Sequence, residues 1–174
     1  AVVGVIGTGN SARALACYLA SRGHEVHLLA RHLERFPWLT ASRTLHATGK
    51  VEGTFKLADV TDHAARFADA VEVVFFATVT TGYREVSARL APHLGDNHRV
   101  VLFSSKLCGS VEVEHTLHGH GVRGVPVLET DALFACRVQP DESVWVRGCK
   151  AWTLFSASRR SLTERHGGRL LKFF

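Results

Sequence analysis

A short apolar run, Val2 to Ile6, breaks at Gly7-Thr8-Gly9-Asn10-Ser11-Ala12 and passes directly into a segment where Ala12, Leu15, Ala16, Leu19 and Ala20 recur at three- and four-residue spacing. Gly23 ends that segment, and a second apolar run, Glu25 to Leu29, follows. This is the text of a βαβ unit, because near-continuous Val, Leu and Ile suits a strand covered on both faces and the helical period suits a helix lying on it. The spacing G-x-G-x-x-A adds chemistry. Gly7 permits the tight turn, Gly9 lets the backbone come close to a pyrophosphate, and the small Ala12 lets helix and strand pack closely. The helix start offers free N–H groups and the positive end of its dipole to phosphate. Gly7, Thr8, Gly9, Asn10, Ser11 and Ala12 are therefore the candidate dinucleotide-binding residues; a tight strand-to-helix turn without a ligand is the plainer alternative.

The same alternation continues along the chain. Val71 to Ala77 and Arg99 to Phe103 read as buried strands, while Tyr83, Val86, Leu90 and Leu94 mark one helical face that Gly95 stops. Residues 62–69 and Ser110 to His118 read as further helices. Val125 to Leu128, Leu133 to Val138, Ser143 to Val146 and Cys149 to Phe155 read as later strands, with a turn at Gln139 to Glu142. Serines 156, 158 and 161 are placed to cap a last helix that runs to the end. Arg43 to Val60 alternates around Gly49 and Gly53, as a hairpin does. The expected fold is α/β: a Rossmann-type, doubly wound, mostly parallel sheet with an added hairpin. At 174 residues, 46% hydrophobic and 21% charged, the chain can bury a sizeable core, and disorder is excluded as its main state.

In NAD enzymes an acid at the end of the second strand accepts hydrogen bonds from the adenosine ribose, but here that strand ends Leu28-Leu29-Ala30-Arg31-His32. A guanidinium at this point can pair bidentately with a 2′-phosphate. NADP(H) is therefore expected over NAD(H), with Arg31 as its partner and His32 and Arg35 in support. The alternative is an outward, solvated Arg31. Ligands of open parallel sheets bind beyond the carboxyl ends of the strands, which brings in Thr78 and Thr80 after the strand at Val71 and Ser104, Ser105 and Lys106 after the strand at Arg99. Thr81 reads as a helix cap.

Other chemistries find little support. Cys17, Cys108, Cys136 and Cys149 are far apart with no C-x-x-C pair, which argues for buried free thiols over a zinc ribbon or a disulfide framework. His115, His118 and His120 come at a helix end marked by Gly119 and Gly121, where the dipole favours His; no metal site is expected. No G-x-S-x-G is present. The net charge of +5 is spread along the chain, which suits a diffuse field for small anions better than a nucleic-acid face. No apolar run approaches the roughly 20 residues of a membrane span, and no secretory signal opens the chain. Small-molecule partners, no nucleic acid, no membrane and a cytoplasmic location are expected. Methionine is absent even at position 1, which reads as a piece of a longer protein.

The block Val127 to Arg137 carries E-T-x-x-L-x-x-C-R, from Glu129-Thr130 through Leu133 to Cys136-Arg137, and VWVRGCKAWTLFSAS follows. With the glycine motif, this resembles the opine dehydrogenases, the octopine and nopaline dehydrogenase family. Val51 to Leu57 and KAWTLFSAS also resemble the branch that makes opine metallophores. The resemblance implies an NAD(P)-dependent oxidoreductase acting on CH–NH bonds. It would reduce the imine formed between an amino acid or amine and a 2-oxo acid such as pyruvate or 2-oxoglutarate. It also implies that Glu129, Thr130 and Arg137 lie near the nicotinamide and substrate; read from the residues alone, Glu129 is equally a turn acid with Arg137 as its salt-bridge partner. The family's catalytic residues sit in a second, helical domain, and none is matched here. Residues 1–156 are thus expected to form the NAD(P)-binding domain and 157–174 to begin a helix leading to a missing substrate domain, in a full-length homodimer. A free-standing nucleotide sensor without catalysis is the alternative.

Overall fold

The computed structural model describes residues 1–105 and 108–174. Its main sheet is built from β1 (Val2–Ile6), β2 (Glu25–Leu29), β5 (Asp59–Thr61), β6 (Val73–Phe76), β7 (Arg99–Leu102), β8 (Val127–Thr130) and β11 (Phe155–Ala157), in the order β11-β8-β7-β6-β1-β2-β5. Every neighbouring pair is parallel except β11, which runs antiparallel to β8. The chain moves outward from β1 in one direction through β2 and β5, then returns to its other side with β6. Ile6 is therefore in register with Leu29 on one flank and Phe76 on the other. Such a reversal of strand order opens a crevice at the carboxyl ends of the strands.

Helices cover both faces. α3 (Ala64–Ala70), α4 (Tyr83–Leu90) and α5 (Gly109–Gly119) bury Phe67, Tyr83, Val86 and Leu117 against Val74, Phe76, Val100 and Leu102. α1 (Asn10–Ser21) and the final α6 (Arg160–Leu170) lie on the opposite face, where Leu15, Leu19, Leu170 and Phe173 join Val5, Phe75, Val101 and Leu128. Alternate residues of each central strand thus meet apolar cover on both sides, which is why those strands read as continuous apolar runs.

The expected hairpin is present as β3 (Thr44–Gly49) and β4 (Gly53–Lys56), but it is half of a second sheet. β10 (Val144–Cys149) pairs parallel with β3 and antiparallel with β9 (Phe134–Val138), giving the order β4-β3-β10-β9. This sheet covers the far side of α1, so the expectation of a single apolar face on that helix is corrected. Residues 12–17 are all buried. A helix enclosed on both sides must be small or apolar all round, and Ala12, Ala14 and Ala16 let two sheets approach it.

Several boundaries move for identifiable reasons. β6 begins at Val73 because Val71 terminates α3. α4 ends at Leu90 and gives way to a 3₁₀ turn at Ala91–His93, because Pro92 has no N–H to continue the ladder. The expected strand from Cys149 to Phe155 is instead the end of β10, a connection over residues 150–154 and the start of β11: Asp131 ties down that connection by accepting from the Lys150 ammonium (2.6 Å), the Thr153 hydroxyl (2.5 Å) and the Leu154 N–H (2.9 Å). The three serines do not cap α6. Ser156 belongs to β11, Ser158 donates to Glu114 at 2.6 Å, Ser161 is inside the helix, and Arg159 at the cap position makes no side-chain cap. Thr81 caps nothing either, since it falls in the 3₁₀ turn Thr80–Gly82 and Gly82 precedes α4. All four cysteines are free, but only Cys17 is buried; Cys136 is half-buried, and Cys108 and Cys149 are exposed at the edge of a helix and the end of a strand.

Candidate functional site

A cleft of about 490 Å³ opens at the reversal between β1 and β6. The loops after four parallel strands line it: residues 7–11 after β1, Arg31 and His32 after β2, Ala77 and Thr78 after β6, and Phe103 and Ser104 after β7. Ten of the sequence-predicted residues share this cleft, namely Gly7, Thr8, Gly9, Asn10, Ser11, Arg31, His32, Arg35, Thr78 and Ser104.

The two loop glycines do different work. Gly7 has φ +121°, and a Cβ there would stand 2.8 Å from the Ala77 carbonyl oxygen and 3.2 Å from the Ala12 Cβ, so both conformation and room require glycine. The same contact explains Ala12, which is buried behind the loop and does not line the cleft. Gly9 has an ordinary φ of −81°, and a Cβ on it would meet nothing within 4 Å. Its backbone is open to the cleft. No side chain caps α1, and its first turn carries no acid. An open loop backbone feeding an uncapped helix start fits the pyrophosphate of a dinucleotide, whose charge the N–H groups and the dipole would meet.

Arg31 is about one-third exposed. Its Nη1 donates to Glu85 on α4 at 2.8 Å, and its guanidinium lies beside Gly82, where a Cβ would stand 3.6 Å from Nη1 and Nη2. Beyond it, His32 is within 3.3 Å of Glu34. Ser104 has φ +62°, a left-handed turn unusual for serine, and its N–H donates to the Thr130 hydroxyl at 3.2 Å. Thr130 is buried and so acts from beneath the cleft.

Other predicted residues stand elsewhere. Thr80 is exposed in its 3₁₀ turn, and Ser105 donates to Glu129 at 3.1 Å without lining the cleft. Lys106 lies outside the described residues. The Glu129 carboxylate also accepts the Ser110 N–H at 3.2 Å, in the first turn of α5, where an anion is favoured. Its partners are thus Ser105 and Ser110; no Glu129–Arg137 ion pair occurs among the described residues. Arg137 is exposed on the small sheet, opposite Trp145 and in a shallow hollow with Arg147.

Sequence reasoning missed Arg13. It is buried at 2% exposure, donates from Nε to the Thr8 carbonyl oxygen at 2.8 Å, and reaches the turn of the small sheet through Glu142. Phe36 and Trp38 cover its guanidinium, with ring centres at 5.4 and 5.3 Å. Asn10 ties the same sheet to the loop by accepting the Val138 N–H at 2.8 Å. The available signal was Arg13 standing within an otherwise small and apolar helix text. Burial pushes the nearby Cys17 thiol up to about 12, which leaves it a packing group. Among the described residues no group of three His, Cys, Asp or Glu gathers for a metal, and no helix is long and apolar enough to cross a membrane.

Known proteins share this fold. An opine dehydrogenase from Arthrobacter sp. (strain 1C) is 24% identical over 148 residues, 84% of this chain and 41% of that relative. An octopine dehydrogenase solved with NADH and pyruvate superposes with a TM-score of 0.77 at 20% identity, covering 95% of this chain and 47% of that one. A yersinopine dehydrogenase with NADP+ bound gives 0.72 at 17% identity, over 98% of this chain and 45% of that one. The chain therefore spans less than half the length of these relatives, and the solved structures share its fold. Residues 2–113, from β1 into α5, match the model of the NAD-dependent glycerol-3-phosphate dehydrogenase N-terminus, and the chain belongs to that family.

Proposed function

We propose that this chain is the cofactor-binding half of an NADP(H)-dependent opine-type dehydrogenase, which reduces the imine formed between an amino acid or amine and a 2-oxo acid such as pyruvate or 2-oxoglutarate. The observation that carries the reading is the meeting, in one cleft, of an open glycine loop at an uncapped helix start with Arg31 at the end of β2. Gly7, Thr8, Gly9, Asn10 and Ser11 would hold the pyrophosphate. Arg31 would take the 2′-phosphate, with His32 and Arg35 in support, since only its Nη1 is engaged by Glu85 and the guanidinium keeps further donors. Thr78 and Ser104 would contact the ribose or carboxamide; Thr80 and Ser105 stand further out. A bound reduced nicotinamide supplies the hydride.

Glu129 and Thr130 act in this reading from behind the cleft: Thr130 holds the Ser104 turn, and Glu129 holds Ser105 and the start of α5. Arg137 would reach substrate only across the outer face of the small sheet. The general acid and base belong, in this reading, to a second helical domain to which residues 157–174 lead, within a cytoplasmic homodimer; a cleft between two domains would exclude water. The test is to follow absorbance of the reduced cofactor with this chain and with the product of the complete reading frame, using pyruvate or 2-oxoglutarate with a panel of amino acids. Turnover by the complete product alone is expected. Turnover by neither, although NADPH binds, would overturn the opine-dehydrogenase reading and favour a sensor.

A further inference from the structure

The opposite end of the main sheet holds a second cavity of about 480 Å³, among the amino-terminal ends of β7 and β8 and one side of α6. Arg99, Arg123, Arg159, Arg165, His118 and His166 line it. Two carboxylates, Asp96 and Glu114, also reach it, and Glu114 accepts the Ser158 hydroxyl at 2.6 Å. Among the described residues none of the four arginines forms an ion pair, although ion pairs hold arginines at several other places on this surface.

Two polar atoms here are buried without a partner among the described residues: Nε of Arg99 and Nδ1 of His166, whose side chain is nine-tenths buried. Arginine offers only donors, and a buried donor left unpaired is costly enough that native structures rarely keep one without a ligand or water. Burial, and then the positive charge of Arg99, Arg169 and Arg165, lowers the His166 imidazole below its ordinary value. The imidazole therefore sits in an excess of positive charge that the two carboxylates do not offset.

We propose that this cavity binds a small oxyanion carrying two or more negative charges, a phosphate or phosphate ester, at the end of the sheet remote from the dinucleotide cleft. Arg99 and His166 would stand at the inner wall, while Arg123, Arg159 and Arg165 would neutralise the charge from the rim. Nothing in this assignment depends on the dehydrogenase reading, because the lining residues and the ligand differ.

The experiment is calorimetric titration of the chain with inorganic phosphate and with pyrophosphate at constant low ionic strength, against chloride as the control. Wild type should bind both oxyanions and not chloride. The double variant Arg123→Gln/Arg165→Gln, both at the rim, should weaken binding at least about tenfold, because each charge-assisted hydrogen bond is worth a factor of that order. Arg66→Gln, on α3 away from both clefts, should leave it unchanged. The Arg99 Nε–H resonance should shift with pyrophosphate in the wild type. No binding by wild type, or binding undiminished in the double variant, overturns the assignment.

Discussion

Arg13 on α1 donates two hydrogen bonds of 2.8 Å to Glu142, 129 residues further along the chain, one to its carbonyl oxygen and one to its carboxylate. The same guanidinium holds the Thr8 carbonyl, so one side chain joins the glycine loop to the turn of the small sheet. Packing between Phe36 and Trp38 keeps it in place, and Glu142 adopts φ +67° to meet it.

Arg13→Ala should therefore destabilise the fold by about 2 to 4 kcal/mol, since it removes charge-assisted bonds and leaves acceptors and rings without their partner. Glu142→Gln should cost less than about 1 kcal/mol, because its side chain is half exposed and the carbonyl bond survives. Urea denaturation of the two variants checks the ranking. Equal stability of Arg13→Ala and wild type would contradict it.

The loop glycines should separate stability from binding. Gly7→Ala forces a Cβ against the Ala77 carbonyl at positive φ and should cost about 1 to 3 kcal/mol of stability. In Gly9→Val the Cβ meets no neighbour, so the variant should fold normally while losing cofactor affinity, because its side chain extends into the open side of the loop. Circular dichroism and NADPH titration measure the two effects. Unaltered affinity in folded Gly9→Val would mean that the phosphates bind elsewhere.

How much of this was legible before the structure depends on the range of the interactions. The glycine loop and the central strands are written locally, in spacing and in continuous apolar runs, and Gly7 and Arg31 line one cleft. The small sheet is different. The alternation of Val144, Trp145 and Val146 announces a strand, but its partner Ala47 to Gly49 is remote in sequence, and no local period selects it. Arg13 was hidden for the same reason: its burial is created by Phe36, Trp38 and Glu142 arriving from elsewhere. Glu85 was legible only as a helix acid, because its contact with Arg31 depends on how α4 is set against the end of β2.

That contact makes a prediction of its own. If Arg31 takes a 2′-phosphate as proposed, Glu85 competes with it, so Glu85→Ala should raise NADPH affinity by roughly two- to fivefold, the worth of an exposed ion pair, and leave NADH affinity unchanged. The gain should shrink at high salt. A fall in NADPH affinity would show that Glu85 supports the ligand instead of competing with it.

Acid stability should report on Asp131. Hydrogen bonds from Lys150 and then Thr153 depress its carboxyl from 3.8 to about 2, against the opposing effect of burial. A group with a depressed folded value stabilises above its unfolded value and loses that contribution as pH falls through the folded one. Asp131→Asn should lower Tm at pH 7, and the gap to wild type should close between pH 4 and about 2. A gap independent of pH over that window would assign the loss to packing alone.

The most direct measurement is the affinity of this chain for NADPH and for NADH at one ionic strength, with Arg31→Ala beside it. Tighter NADPH binding by at least about tenfold is predicted, from the charge-assisted bonds of Arg31 to the 2′-phosphate, and the variant should erase the difference by losing NADPH affinity alone. Equal affinities in the wild type, or a preference that persists in Arg31→Ala, would contradict the assignment of this cleft to NADP(H).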